Sequence, residues 1–408
     1  MAPKIKLDDI IAMDDSMFKN KQVLKPNYTL RKIDDVLHRD EEIKKYYEYL
    51  KDIFKGVSPS NIFVYGKPGL GKTLISKLVL EEVRHAAAVR GIELCIININ
   101  CDETRTEHSI LQRLVSEIPS DEPRRIIGNS VSKHNEYLKY LIEHYTGIIV
   151  CVLDELDKSD NPEMINKIIR TESTSSGQFP TIIGITNDLG LKERFPPHLQ
   201  SVLCENDLII KPYDAEQLRD ILKARVDIAF KPDTVPEIVI SLCAAFAAQD
   251  YGDVRRAIDL LRVAGELAEE RNSVCLEEVD VKNAYEKLEK DKVIEVIETL
   301  PTQSKSVLLS CIYVFDSPKE NITANIYDVY QKVAYAIDMD TLTQRRVTDL
   351  ISELSQLGII EGFNEFRGIK GRKKVITKIA SKEQALKTLY KDYKISEISR
   401  LSPSAFCR

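Results

Sequence analysis

The sequence predicts an α/β fold: a parallel sheet covered by helices, then an all-helical domain, then a smaller domain of helices ending in two strands. Three observations predict it. Short apolar strands alternate with helical stretches between residues 61 and 211, the pattern of a parallel sheet buried on both faces. After Pro212 the strands stop and four amphipathic helical stretches follow. From about Val293 three more helical stretches lead into two strand-like runs.

The elements follow in order. Residues 1 to about 36 lack clean periodicity and read as an extension on the surface. Asp40 to Phe54 reads as a helix with tyrosines and leucine on one face. The strands are Asn61–Tyr65, Glu93–Asn98, Ile148–Leu153, Thr181–Thr186 and Asp207–Lys211, with a polar loop at Thr171–Gln178. Helices are expected over 214–230, 235–249, 252–271 and 276–290, then 302–314, 322–336 and 343–357. The closing strands are Ile359–Phe363 and Lys374–Lys378.

Composition sets the class. The 408 residues are 43% hydrophobic and 30% charged, which describes a globular chain of two to four domains. No apolar run approaches membrane-spanning length; the longest, Gly147–Leu153, suits a buried strand. Lys4 to Asp15 alternates charged and apolar residues, unlike a signal peptide. The eight cysteines form no C-x-x-C pair and have no zinc spacing with the six histidines; they read as reduced, mostly buried thiols. The net charge of −6 argues against uniform coating of nucleic acid. Its distribution is uneven: residues 296–408 hold 17 Lys and Arg against 13 Asp and Glu, or +4, and the rest holds 41 against 51, or −10.

Residues 66–73, Gly-Lys-Pro-Gly-Leu-Gly-Lys-Thr, match the phosphate-binding P-loop. Polyphosphate needs several backbone N–H groups aimed at it, so Gly66, Gly69 and Gly71 stand where a Cβ would block the approach. Lys72 reaches the β- and γ-phosphates, and the Thr73 hydroxyl ligates Mg²⁺. Leu74 and Ile75 continue the helix whose N-terminal dipole faces the phosphates. The apolar strand ending at Leu153 runs into Asp154 and Glu155. That spacing puts Asp154 where it holds Mg²⁺ through its water shell and Glu155 where it polarises the attacking water. Asn187 ends the next strand, placed for the γ-phosphate or the water; a turn residue is the other reading. Arg255 opens a helix in the second domain. Spacing alone leaves it either on a solvated face or swung toward a phosphate.

Within Thr341–Leu357, the residues Val347, Leu350, Ile351, Leu354 and Leu357 share one helical face. Arg345 and Ser352 point the opposite way, flanked by Arg346 and Thr348, and Thr341 or Thr343 caps the start. A second helix of this kind suits a helix-turn-helix reader. From Arg367 to Lys378 there are six cations and no acid: Arg367, Lys370, Arg372, Lys373, Lys374 and Lys378. By sequence alone this is either a solvated hairpin or one that lies on phosphates.

Taken together, these residues resemble the AAA+ ATPases, and more narrowly the archaeal origin-recognition and cell-division-control initiators. The resemblance runs from about Val36 to Ala380. It is carried by His38–Glu42, Pro59–Thr73, Asp154-Glu155, Asn187, Lys211–Leu218, Gly252–Leu261 and Leu342–Val347. It implies an AAA+ P-loop parallel sheet with a helical lid and a C-terminal winged-helix DNA-binding domain. The implied division is 1–36 extension, 37–210 ATPase base, 211–292 lid, 293–380 winged helix and 381–408 tail.

As implied roles, Asn187 is sensor 1 and Arg255 sensor 2, with Arg256 the lesser candidate. Tyr213 and Arg225 line the nucleotide between base and lid, and the stretch around His38 lies near the adenine. Thr343, Arg345, Arg346, Thr348 and the cations Arg367, Lys370, Arg372, Lys373 and Lys374 meet DNA. An insertion at about Asp102–Ile118, with Arg105 and Arg113, is a further DNA contact in the family; ordinary surface charge explains those two arginines equally well.

ATP or ADP with Mg²⁺ is the implied cofactor set, with slow, switch-type hydrolysis. The implied partners are double-stranded origin DNA, initiator paralogues and the replicative helicase, in a cytoplasmic, nucleoid-associated setting. One departure stands out: His198 occupies the place of the arginine that serves a neighbouring subunit's nucleotide, and Arg194 is offset from it. A histidine, mostly neutral near pH 7, is a poor substitute for a fixed cation. Two rivals predict different features. A clamp-loader subunit calls for a helical collar in place of residues 359–378. A nucleotide-gated regulator calls for a winged helix that binds protein.

Overall fold

The computed structural model describes residues 16–26, 28–120, 130–161, 164–171, 173–174, 177–197, 200, 206–366, 372–401 and 403–407, with the backbone alone at 363–366, 372–374 and 404. The chain divides into two units, one ending at Val281 and the other starting at Lys282.

In the first unit, helix α1 (Asp40–Leu50) precedes β1 (Ile62–Tyr65), the P-loop and α2 (Lys72–Val89). Then come β2 (Leu94–Asn100), α3 (Glu107–Glu117), α4 (Val131–His144) and β3 (Ile148–Asp154). The base ends with α5 (Ile165–Ile169), β4 (Thr181–Thr186), α6 (Leu191–Arg194) and β5 (Asn206–Ile209). The five strands are all parallel, in the order β2-β3-β4-β1-β5.

The sequence patterns explain the order. Strands β1 and β4 are buried at every position and β3 at all but its last, so their apolar runs occupy the middle of the sheet. Strands β2 and β5 contain exposed positions and lie at the edges. The carboxyl end of β4 lies beside that of β1, where the P-loop leaves the sheet, and that of β3 lies one strand beyond it. This is the crevice where open α/β sheets bind ligands.

Four helices follow: α7 (Ala215–Ala229), α8 (Glu237–Gln249), α9 (Val254–Glu270) and α10 (Glu278–Thr299), the last running on into the second unit. Asp214 and Gln217 form a reciprocal capping box on α7. Asp253 caps α9 by accepting from the backbone N–H groups of Arg255 and Arg256.

The N-terminal stretch corrects the reading of a surface extension. Met17, Phe18, Val23 and Leu24 are buried. The Phe18 ring lies 4.7 Å from that of Phe230, and Lys19 N donates to Ala229 O at 2.8 Å. Phe18 fits because Gly265 of α9 has no side chain: a Cβ there would stand 2.5 Å from Phe18 Cζ. This burial follows no helical or strand period, so it left no periodic trace in the sequence.

The second unit packs α11 (Thr302–Phe315), α12 (Thr323–Ala336) and α13 (Gln344–Gln356) under an antiparallel pair, β6 (Ile360–Phe366) and β7 (Arg372–Ile379). Ile376 N donates to Asn321 O at 2.9 Å, which ties the hairpin to the start of α12.

The stretch read as a separate tail is part of this core. Helix α14 (Lys382–Leu389), the turn Ile395–Ile398 and α15 (Pro403–Cys407) bury Leu389, Ile395, Ile398 and Phe406. The Phe406 ring stacks 5.5 Å from Tyr313, whose hydroxyl lies 2.9 Å from that of Tyr390. The Phe406→Ala variant removes this closure and is expected to cost the second unit about 3 kcal/mol, read as a lower urea midpoint in its unfolding transition.

Candidate functional site: a phosphate-binding cleft between base and lid

One cleft in the first unit is lined by Gly69, Gly71, Lys72 and Thr73 of the P-loop, Asp154 and Glu155 after β3, Thr186 and Asn187 at the end of β4, and Arg255 of α9. It draws on three strand ends and on the first turn of a lid helix.

Gly69 and Gly71 have φ of +77° and +88°, the left-handed region that side-chain-bearing residues avoid. Gly69 is doubly constrained, because a Cβ there would overlap the Asp253 carboxyl group. Lys72 is buried, and its Nζ donates to Gly66 O at 2.7 Å, Lys67 O at 2.8 Å and Asn187 Oδ1 at 2.7 Å. Burial pushes its pKa below the ordinary lysine range; Asp154 opposes that shift and Arg255 adds to it.

Thr73 Oγ1 donates to Asp154 Oδ2 at 2.7 Å, and Asp154 Oδ1 accepts from Glu155 N at 2.9 Å. Glu155 has φ of +52°, an uncommon backbone conformation for a residue with a side chain. Burial, and then the charges of Asp154, Asp102 and Asp157, hold its pKa above the usual glutamate range.

Asp157, which the sequence reading assigned no role, holds the end of β4. Its Oδ1 accepts from Thr186 Oγ1 at 2.8 Å and from Asn187 N at 3.2 Å. Its place two residues after the acidic pair was the one available signal.

The residues fit a nucleotide with Mg²⁺. The positive-φ glycines form a cradle that side chains would fill, and a hydroxyl and a carboxylate oxygen meet where a hard cation takes oxygen ligands.

Not every predicted contact lies in the cleft. Ile75 is buried in the core, Leu74 is half-buried, and neither these two nor Gly66 is among the lining residues. Tyr213 is buried under Arg39, whose guanidinium carbon stands 3.6 Å from its ring centre and whose Nη2 donates to Lys211 O at 2.7 Å. Arg225 packs on Tyr28 at 4.7 Å, and His38 Nε2 lies 3.0 Å from Asp220 Oδ2. Tyr213 and Arg225 are not among the residues that line the cleft around Lys72; their side chains stack on Arg39 and Tyr28. Arg39 Nε and Arg225 Nη1 are buried without a hydrogen-bond partner, a costly state that a polar ligand would relieve. Arg256 bonds Asp250 and is absent from the lining. Arg194 pairs with Asp188. His198 lies outside the described residues.

In the second unit, Thr343 caps α13 by accepting from Arg346 N. Arg345 is exposed at the helix start. Arg346 Nη1 meets Glu353 at 3.0 Å, and Thr348 Oγ1 donates to Gln344 O at 2.8 Å. Arg372, Lys373 and Lys374 lie on β7 opposite Phe366, Glu365 and Asn364. Arg367 and Lys370 lie outside the described residues. Arg105 and Arg113 pair with Asp102 and Glu117.

Comparison with known proteins bears on both units. Residues 57–190 match the AAA domain family, 219–286 the Cdc6 AAA+ ATPase-type lid domain, and 295–388 the CDC6 C-terminal winged helix domain. The chain is 39% identical to "ORC1-type DNA replication protein 1" of Methanosarcina mazei over 396 residues, covering 96% of this chain and 94% of that one. It is 38% identical to the ORC1-type DNA replication protein of Pyrococcus furiosus, covering 98% and 96%. Among solved structures, that of the Aeropyrum pernix ORC1 protein in complex with DNA is 34% identical with a TM-score of 0.77, covering 93% of this chain and 98% of that chain.

Asp157→Ala removes the acceptor that holds the Thr186 hydroxyl and the Asn187 backbone N–H, leaving Asn187 with its side-chain bond from Lys72. ATP affinity is expected to hold within about two-fold while single-turnover hydrolysis falls about ten-fold or more. Titration with a fluorescent ATP analogue and a phosphate-release assay measure the two.

Proposed function

The chain belongs to the ORC1-type DNA replication protein family, and from that premise we propose an ATP-dependent initiator that binds double-stranded origin DNA and uses its nucleotide state as a switch. The observation that carries this reading is the meeting of P-loop, Asp154-Glu155, Asn187 and the lid's Arg255 in one cleft, in a chain that also has a winged-helix domain.

The P-loop backbone binds the polyphosphate, and the Lys72 ammonium stabilises charge on the β- and γ-phosphates. Thr73 and Asp154 are the residues that would hold Mg²⁺, which when bound neutralises phosphate charge. Glu155 orients the attacking water and takes its proton; the raised pKa makes it a stronger base than an ordinary glutamate. Asn187, held by Asp157, completes the water's surroundings. Arg255 reaches from the lid to the γ-phosphate, so ATP favours a closed lid and ADP a looser one. Slow turnover suits this role, since the signal is the nucleotide state rather than flux.

DNA binding is assigned to the winged helix. Arg345 approaches base edges from the start of α13, with Thr343, Arg346 and Thr348 beside it. The cations Arg367, Lys370, Arg372, Lys373 and Lys374 lie on phosphates, each contact releasing counterions. The ORC1–DNA complex from Aeropyrum pernix supports this assignment. Other initiator paralogues and the replicative helicase are the proposed protein partners, and the nucleoid the proposed site of action.

Lys72→Ala is expected to abolish ATP binding by calorimetry, and Glu155→Gln to bind ATP normally but stop phosphate release; unchanged turnover in Glu155→Gln would remove Glu155 from its role. In footprinting, Arg345→Ala is expected to lose protection of the specific site by about ten-fold or more. Binding that is uniform across sequences and indifferent to Arg345→Ala would sink the origin-reader assignment.

A further inference from the structure

We propose that Lys67 of the P-loop and Tyr251 of the lid form a positioning pair that sets Arg255 for hydrolysis; the proposal rests on the ATPase reading above. The Lys67 ammonium stands 3.5 Å from the centre of the Tyr251 ring, within the range where a cation is attracted to an aromatic face. Neither residue is among those that line the cleft.

Three features set this contact apart from chance proximity. First, Tyr251 is 67% exposed, so burial does not hold the ring in place. Second, its backbone is left-handed, with φ of +69°, and Gly252 follows at +70°. An aromatic residue adopts that region at a cost, and such strain persists where the surroundings over-determine it. Here they do: Gly252 N donates to Ala247 O at 3.0 Å, and a Cβ at Gly252 would strike the backbone of Tyr213. Third, the turn leads directly into the site. Asp253 caps α9 and presses on Gly69, and Arg255 enters the cleft two residues later.

Lys67 is tied to the chemistry from the other side. Its carbonyl accepts from Lys72 Nζ at 2.8 Å. One P-loop residue thus holds Lys72 through its main chain and the lid turn through its side chain. The cation–π attraction biases the turn toward the P-loop, where the charges of Arg255 and Lys72 feel each other. Loss of the ring leaves Gly69, Gly71, Lys72 and Thr73 in place but frees the turn that carries Arg255. Hydrolysis suffers, and ATP binding does not.

The test is a double-mutant cycle on the full-length chain, with Tyr251→Leu, Lys67→Met and the double variant. Single-turnover ATP hydrolysis gives the rate, and a fluorescent ATP analogue gives the affinity. Each single change is expected to lower the rate about two- to five-fold, with affinity within about two-fold and an unchanged melting temperature. The double variant should be no slower than the slower single one, because both remove the same contact. Tyr251→Phe and Lys67→Arg, which keep ring and cation, should restore most of the rate. The chain has no tryptophan, so Tyr251→Trp supplies a single tryptophan whose selectively excited emission should respond to ATP, and respond less once Lys67→Met is added. Multiplying losses, an unchanged rate, or a loss carried by affinity would each overturn the pair while leaving the ATPase intact. No hydrolysis by the wild-type chain would instead remove the ATPase reading, and this proposal with it.

Discussion

The site depends on the contact between Asp253 of the lid and Gly69 of the P-loop. A carboxyl group sits where any side chain on residue 69 would stand. The same carboxylate caps α9, so the helix that carries Arg255 is anchored through its N-cap residue to the P-loop. Base and lid are thereby registered at one point. A glycine at 69 is needed twice over, for its positive φ and for this close approach.

Around that point the cleft balances opposite charges. Burial, and then the charge of Arg255, lower the Lys72 pKa, while Asp154, Asp157 and Glu155 oppose that shift. Burial, and then the charges of Asp154, Asp102 and Asp157, raise the Glu155 pKa. Phosphate and metal charges would enter a framework whose fixed charges already alternate, the arrangement that phosphoryl transfer requires, since catalysis there is mostly positioning and charge stabilisation. Asp157 serves this framework without lining it, by holding the backbone and neighbour of Asn187.

Much of the fold was legible because its signals are local. The β3 run Ile148–Asp154 reads as a central strand since nearly every residue in it is apolar, and α13 reads as a half-buried helix since Val347, Leu350, Ile351 and Leu354 share a face. The P-loop and the acidic pair were legible for the same reason, each being a short motif at a strand end, whereas a lone Asn187 at a strand end left a turn residue as the other reading. The misreadings were non-local. Phe18 is buried because a glycine on a distant helix leaves it a slot. Phe406 is buried because Tyr313 waits for it. The stacking of Tyr213 with Arg39 and of Arg225 with Tyr28 overturns no reading; it adds partners that no local spacing reveals.

By itself, the sequence determined a phosphate loop and an acidic pair to go with it, set by residue type and short-range spacing; for the arginine at the start of α9 and for the cationic hairpin, spacing left two readings open. Only the tertiary structure decided how these parts meet. It put Asp253 on Gly69, Asp157 under Asn187 and Tyr251 over Lys67, and it drew both ends of the described chain into the cores. The physical reason is that period and motif report which face of an element is buried or which loop binds phosphate, whereas the partner of a given side chain depends on how distant elements pack.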